Sequence, residues 1–232
     1  MMRSCIFRTK PSRRETIWGA IYLGLYMLVL PLAVPLALIA LFPDMNAVQI
    51  NFVYFVLNFA ATAVIFRTYL TQSISDAFLA GAATFRSALL GYVASILLTG
   101  MTVSAIISVY PEFISINDDA VTTLAEQNRL LMFVGAVFLA PVTEELLFRG
   151  LVFRGLYDRS PLAAHLVSMG LFSLIHVSGY VGMYDWKLLF FCFLQYLPAA
   201  CCLNVTYQRS GTILSPILMH MATNLVAMLA TR

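Results

Sequence analysis

Two adjacent glutamates, Glu144 and Glu145, interrupt a long apolar stretch of the chain. A charged side chain near the centre of a bilayer costs at least about 2.5–3.5 kcal/mol on insertion scales, so carboxylates in a membrane span need partners or a function. Arg149 follows Glu145 by four residues, a spacing that puts both on one helix face as an ion pair. Glu144 points about 100° away from that face and has no evident partner on its own helix. Glu144 is therefore the candidate catalytic carboxylate; the alternative is that both glutamates only pack the helix.

Two histidines and an asparagine lie in later apolar stretches. Phe172 and His176 are four residues apart, as are His220 and Asn224, so each pair shares one helix face. A lone histidine in such a stretch is usually a hydrogen-bonded core residue, and a His–Asn pair can be an interhelical hydrogen-bond pair. Together with the glutamates, however, these residues put ionisable groups into three separate apolar segments. His165 lies near the start of its segment, and we interpret it as interfacial.

Side chains of these types can activate water and stabilise a developing negative charge. A carboxylate can act as a general base, and a neutral imidazole can share that task. A second histidine and an amide can donate to an oxyanion, so the set fits water attack on an amide carbonyl. It also fits zinc, for which Glu144, His176 and His220 would be the ligands. The chain contains no HExxH and no GxSxG, and we find no aspartate pair of the intramembrane type, which excludes a zincin and disfavours serine and aspartyl proteases.

The composition requires a membrane around these residues. The chain has 232 residues, of which 61% are hydrophobic and 11% charged, and its mean hydropathy is +0.86. A soluble domain carries about 25% charged residues, so the bilayer must replace water over much of this surface. We expect membrane lipid and a peptide or protein substrate as partners, and no nucleic acid. The four cysteines, Cys5, Cys192, Cys201 and Cys202, have no metal-binding spacing and imply no disulfide framework.

The hydropathy pattern predicts an all-α polytopic transmembrane helix bundle of about seven spans. The predicted spans are residues 17–42, 47–66, 87–109, 129–157, 161–178, 188–207 and 212–230. The first should be kinked at Pro31 and Pro35. Residues 67–86 are mixed and polar, and we expect a loop there with a short interfacial or re-entrant helix, which would be an eighth membrane segment. Residues 110–128 contain four acidic residues and no basic one, and we expect an aqueous loop.

The basic residues indicate a cytoplasmic N-terminus in the cell membrane. With seven spans and the N-terminus inside, 11 of the 14 lysines and arginines fall on the cytoplasmic half, as the positive-inside rule predicts. The three that fall outside are Arg129, Lys187 and Arg232. We divide the chain into a basic cytoplasmic segment (1–16), the first three spans with their loops (17–128) and a helical core that carries the candidate catalytic residues (129–232).

The candidate residues can meet only if they lie at a similar depth in the membrane. At about 1.5 Å per residue, Glu144 lies roughly 20 Å, His176 roughly 22 Å and His220 roughly 14 Å from the cytoplasmic ends of their helices. The first value requires the fourth helix to continue to Tyr157. An early end at Arg149 would put Glu144 about 14 Å shallower than His176.

Three short motifs resemble those of the CPBP family, the CAAX-protease and bacteriocin-processing intramembrane peptidases, also called Abi. EELLFR (144–149) resembles EExxxR, FSLIH (172–176) resembles FxxxH, and HMATN (220–224) resembles HxxxN/D. Their order and rough spacing match over about residues 129–230, whereas residues 1–128 show no motif of the family.

The resemblance implies an intramembrane endopeptidase for membrane-associated or lipid-anchored substrates. In that reading Glu144 and His176 activate water, His220 and Asn224 stabilise the oxyanion, and Glu145 and Arg149 support them, with Phe172 beside them. The resemblance further implies a metal-free glutamate peptidase, with a zinc-dependent metalloprotease as the second choice.

Two other functions remain open on the sequence. The first is a non-catalytic membrane protein of the same fold, either a bacteriocin self-immunity factor or a scaffold. The second is a transporter or proton relay, because intramembrane Glu and His also mark ion pathways. Many transporters have broken helices repeated in two halves, and no matched halves are visible here.

Overall fold

The structure is a computed structural model that describes residues 7–230. Predictions that concern Arg3, Cys5, Arg232 and the first six residues of the basic segment therefore lie outside the described residues. Within residues 7–230 the chain forms ten helices and no β-strand, and the fold is a helical membrane bundle. The helices are α1 (Arg13–Leu28), α2 (Leu30–Leu41), α3 (Ala47–Ile65), α4 (Arg67–Ala80), α5 (Ala82–Val109), α6 (Ile116–Gln127), α7 (Arg129–Tyr157), α8 (Pro161–Ser178), α9 (Trp186–Ser210) and α10 (Leu214–Ala230).

Five of these helices are long and apolar enough to cross a bilayer, namely α3, α5, α7, α8 and α9. The helices α1 and α2 pass that test only as a pair, bent by 67° at their junction. The bend precedes Pro31, which lies in the first turn of α2, where its missing N–H leaves no helical hydrogen bond unmade. The apolar helix α10 is shorter, with 17 residues. These segments overlap the seven predicted spans, and the number that cross the membrane stays a prediction.

Two connecting segments differ from the sequence prediction. The segment 110–128 is mostly helix α6 and not a loop, because Ile116 and Ala125 are buried against the bundle and two carboxylates stabilise its first turn. The third span begins at Ala82, before the predicted start at residue 87. Gly81 has a φ of +52°, a conformation that favours glycine, and it ends α4 and begins α5 without a loop.

The central element of the bundle is α7. In its most apolar window, 61% of the residues are buried inside the protein, against 11% to 44% for the other four spanning helices. It runs unbroken to Tyr157, as the depth estimate requires. Two π-helical segments, Phe133–Leu139 and Leu146–Phe153, flank the α-helical turn that carries the glutamate pair. Such wider turns occur often at functional sites, and here they bracket the candidate residues.

Candidate active site

Glu144 and His176 face each other from α7 and α8. The Oε2 atom of Glu144 lies 3.9 Å from Nε2 of His176. Both side chains are mostly buried, with 12% and 15% of their surface exposed. Glu144 Oε2 is buried and has no hydrogen-bond partner within the described residues. The two atoms are too far apart for a direct hydrogen bond, and a single water molecule can bridge such a distance.

The backbone of α8 determines which nitrogen of His176 carries the proton. Its Nδ1 lies 2.8 Å from the carbonyl oxygen of Phe172. A carbonyl oxygen only accepts, so Nδ1–H donates to it. In the neutral imidazole, Nε2 then carries the lone pair that points toward Glu144. The Glu144 carboxylate and His176 Nε2 are therefore two hydrogen-bond acceptors that face the same small space between α7 and α8.

Glu145 has a different environment from its neighbour, although the two are adjacent in sequence. Its Oε1 accepts a hydrogen bond from Arg149 Nη1 at 3.0 Å and another from His220 Nδ1–H at 2.9 Å. Both Glu145 and Arg149 are fully buried. The predicted ion pair between them is thus present, and it also holds His220.

Arg149 ties α7 to α9 through its guanidinium group. Besides Glu145, it donates from Nε to Asn204 Oδ1 at 3.1 Å and from Nη2 to the Ala200 carbonyl at 3.1 Å, both on α9. Ser168 on α8 contacts the same Asn204 oxygen at 3.0 Å. A buried guanidinium has five N–H donors, so one carboxylate could not satisfy it. The number of donors on the Arg149 side chain therefore indicates that further partners are needed. The sequence does not show which residues they are.

Phe172 lies between the arginine and the two histidines. Its ring centre is 4.4 Å from the Arg149 guanidinium carbon, 4.7 Å from the His176 ring and 5.7 Å from the His220 ring. An aromatic face attracts a guanidinium by about 0.5–2 kcal/mol. The Phe172 ring thus contacts the Arg149 guanidinium on one side and the two imidazoles of the site on the other.

His220 and Asn224 lie one turn apart on α10. The Nδ1–H group of His220 is used by Glu145, which leaves Nε2 free to act at the cavity. Asn224 donates from Nδ2 to the Ala136 carbonyl of α7 at 2.8 Å, which leaves the second N–H of the amide available. His165 lies elsewhere, near the start of α8, where it pairs with Gln208 at 3.1 Å.

One cavity of about 770 Å³ brings the four candidate residues together. Glu144, His176, His220 and Asn224 all line it, and α3, α6 and the α1–α2 bend complete its walls. A second cavity of about 350 Å³ between α5, α9 and α10 shares His176, His220 and Asn224 with the first. The walls of both are mostly apolar, as in other ligand sites.

Sequence reasoning missed two residues at this site, Tyr196 of α9 and Asp118 of α6. The Tyr196 ring centre lies 4.4 Å from that of His176, and its hydroxyl donates to Asp118 Oδ1 at 2.8 Å. Both residues line both cavities. In the sequence, the polar pair Gln195–Tyr196 inside an apolar span could have indicated that this part of α9 lines a site. No feature of the acidic segment indicated that Asp118 belongs to it, because the contact depends on how α6 folds back onto the bundle.

A zinc site formed by Glu144, His176 and His220 stays a prediction. No group of three His, Cys, Asp or Glu side chains among residues 7–230 is arranged to hold a metal ion. We therefore derive no step through a metal.

One family model matches the part of the chain that contains the candidate residues. Residues 126–226 match the model of a family described as type II CAAX prenyl endopeptidase Rce1-like. The matched region begins in the last turn of α6 and ends within α10, so it contains all seven residues predicted for the site. No curated protein and no solved structure is similar enough to the chain to count as a match. Residues 126–226 of this chain therefore match an Rce1-like domain of the CPBP family.

Proposed function

We propose that this protein is an intramembrane glutamate endopeptidase that hydrolyses a peptide bond of a membrane-associated or lipid-anchored substrate. The observation that carries the proposal is the pair of acceptors, Glu144 Oε2 and His176 Nε2, 3.9 Å apart on the wall of the 770 Å³ cavity. A water molecule held between them donates both of its hydrogens to the protein. Its lone pairs then point into the cavity, where a peptide carbonyl can lie.

Glu144 and His176 supply the proton transfers in this mechanism. As the water oxygen attacks the carbonyl carbon, its proton passes to Glu144 or His176. The tetrahedral intermediate then collapses, the C–N bond breaks, and the same proton is delivered to the leaving amine. The carboxylate and imidazole return to their starting forms, so the cycle needs no cofactor.

His220 and Asn224 stabilise the negative charge on the carbonyl oxygen. Nδ1–H of His220 donates to Glu145, so Nε2 donates to an oxyanion only when the imidazole carries both protons. A positive charge on that imidazole would lie beside the Glu145 carboxylate, which also pairs with Arg149. The free amide N–H of Asn224 is the second donor. Loss of one oxyanion donor typically lowers kcat by about 10²–10³-fold.

The substrate must fit an apolar cavity that lies within a helical membrane bundle. The family description specifies prenyl endopeptidases, and we propose a C-terminal, lipid-modified segment as the first substrate to test. Unmodified membrane-associated peptides belong in the same assay, because an apolar wall accepts either a lipid tail or apolar side chains.

The test compares Glu144→Gln with a matched control in nanodiscs. We expect Glu144→Gln to lower the cleavage rate of a prenylated or membrane-associated peptide by at least about 10²–10⁴-fold, because the general base is removed. Glu126→Gln makes the same change on an exposed residue of α6 and should cleave at the wild-type rate. Cleavage should also survive metal chelation. Wild-type turnover by Glu144→Gln would contradict the proposal, and loss of turnover on chelation alone would favour a metalloprotease.

A further inference from the structure

The imidazole of His176 is held by more than its backbone hydrogen bond. The Nδ1–H bond to the Phe172 carbonyl fixes one ring atom but leaves the ring plane able to swing about it. The Tyr196 ring lies against the imidazole with centres 4.4 Å apart and planes inclined by 30°. A close, nearly parallel neighbour of this kind limits the rotation that would carry Nε2 away from Glu144.

The Tyr196 ring is itself held by Asp118. Its hydroxyl donates to Asp118 Oδ1 at 2.8 Å, although the two residues lie on different helices. The other oxygen of Asp118 accepts from Gln195 Nε2 at 2.8 Å and from Ser115 Oγ at 2.6 Å. Both oxygens of this carboxylate are therefore used, and the chain of contacts runs from α6 through α9 to the imidazole on α8.

The contact also has an electrostatic consequence. When His176 takes a proton from water it becomes a cation, and the face of a nearby aromatic ring attracts a cation. A hydroxyl that donates to a carboxylate makes the tyrosine ring more electron-rich. The Tyr196 ring therefore stabilises the protonated imidazole formed during the reaction more than the neutral one.

We propose that Tyr196 is a positioning residue for His176 and that Asp118 acts through Tyr196; this proposal rests on the peptidase function proposed above. The alternative is that the Asp118–Tyr196 bond only anchors α6 to α9. The two roles differ in what they predict. A positioning role lowers kcat with little change in KM or stability, whereas an anchor changes the unfolding temperature.

Five variants and one control separate these roles in steady-state kinetics. Tyr196→Leu removes the ring and should lower kcat by about 10- to 30-fold, with KM within about twofold. Tyr196→Phe and Asp118→Ala each remove only the hydroxyl–carboxylate bond and should lower kcat by about 3- to 5-fold. The double variant should lose no more than either single one, because both act through one bond. Asp118→Asn retains an acceptor oxygen and should restore most of the kcat. Asp119→Ala, on the same turn of α6 and exposed, is the control and should match the wild type.

A second readout does not depend on turnover. The chain has three histidines, so the His176 ring resonances can be assigned by their loss in His176→Ala. The ring current of an aromatic neighbour 4.4 Å away should shift these resonances in the wild type and in Tyr196→Phe, but not in Tyr196→Leu. If no peptide is cleaved by the wild type, the peptidase function fails while this measurement still decides the positioning.

Three results would overturn the proposal. They are a Tyr196→Leu variant with wild-type kcat, kcat losses that follow the unfolding temperature across the series, and His176 resonances that are unchanged by Tyr196→Leu.

Discussion

Glu144 and Glu145 show how two identical neighbours acquire different tasks. Successive residues of a helix point about 100° apart, so the two carboxylates leave α7 toward different partners. Glu145 turns into the protein, where Arg149 and His220 both donate to one of its oxygens. Glu144 turns to the cavity and faces His176. The chain thus combines a fixed, paired carboxylate with one whose Oε2 atom has no hydrogen-bond partner among the described residues.

The buried Arg149 side chain should contribute strongly to the stability of the bundle. Arg149→Met should destabilise the protein by about 3–5 kcal/mol, because it leaves the buried Glu145 carboxylate without its cation and two acceptors on α9 without a donor. Arg149→Lys should recover only part of this loss, since an ammonium cannot reproduce the planar, forked guanidinium geometry. The measurement is the thermal unfolding midpoint in detergent, which we expect to fall by on the order of 10 °C for Arg149→Met.

Arg159→Met is the matched control for this prediction. Arg159 is exposed at the turn after α7, so its replacement should leave the midpoint nearly unchanged. Equal midpoints for the Arg149 and Arg159 variants would mean that the buried ion pair does not support the fold.

At the scale of elements, small residues decide how closely α5 approaches α9 and α10. A Cβ atom added at Gly91 would collide with Thr206 Oγ1 on α9 and lie 2.8 Å from Met219 Sδ on α10. At Gly100, on the same helix, an added Cβ would meet no atom within 4 Å. Close helix contacts in membranes depend on such small residues, because packing has to replace the hydrophobic driving force of water.

This contrast leads to a prediction about α5. Gly91→Val should destabilise the bundle by about 1–3 kcal/mol through overpacking, and Gly100→Val should not. The thermal unfolding of both variants in the same detergent provides the measurement. A Gly91→Val protein that unfolds at the same temperature as Gly100→Val would show that α5 can move away from α9 without loss.

The π-helical segments are the second feature at this scale. The Ala136 carbonyl, in the first of them, accepts from Asn224 of α10. The Phe148 carbonyl, in the second, accepts from Ser168 of α8. Both segments therefore serve as points where a neighbouring helix is tied to α7, one on each side of the glutamate pair.

The whole molecule has a basic end and an acidic end. The basic end holds the start of α1, the α7–α8 turn and the α9–α10 turn, and residue 8 reaches that last turn through a backbone bond to Gly211. Its exposed cations include Lys10, Arg13, Arg14, Arg67, Arg159 and Arg209. The acidic end holds Asp44, Glu112, Asp118, Asp119, Glu126 and Asp185.

The candidate cavity is lined by residues from the acidic end, including α6 and the end of α8. Buried side chains such as Phe148, Phe153, Tyr69 and Tyr207 fill the space toward the basic end.

This asymmetry predicts the side of the membrane from which the site is reached. If the basic end is cytoplasmic, as the positive-inside rule favours, the cavity opens toward the extracytoplasmic face. The test is cysteine labelling in intact cells after replacement of the native cysteines. A membrane-impermeant maleimide should label Asp44→Cys at once and Arg159→Cys only after permeabilisation. The reverse pattern would place the N-terminus outside and the site on the cytoplasmic side.

Much of the architecture followed from the sequence, because length and hydropathy decide where a helix can cross a bilayer. The predicted span 161–178 has the bounds of α8, and the prediction for 47–66 differs from α3 by one residue. The Glu145–Arg149 contact followed in the same way, since residues four apart on a helix meet whatever surrounds them.

The folded bundle alone decided which distant side chains meet. Helix α6 was not recognised because its few apolar residues are stabilised by the bundle onto which it packs. The bond from Tyr196 to Asp118 and the support of Arg149 by Asn204 join residues more than 50 positions apart, and no local periodicity encodes such pairs. By itself the sequence determined that a carboxylate, two histidines and an amide lie within apolar helices. Only the tertiary structure decided that they face one cavity, because that depends on how each helix is rotated against its neighbours.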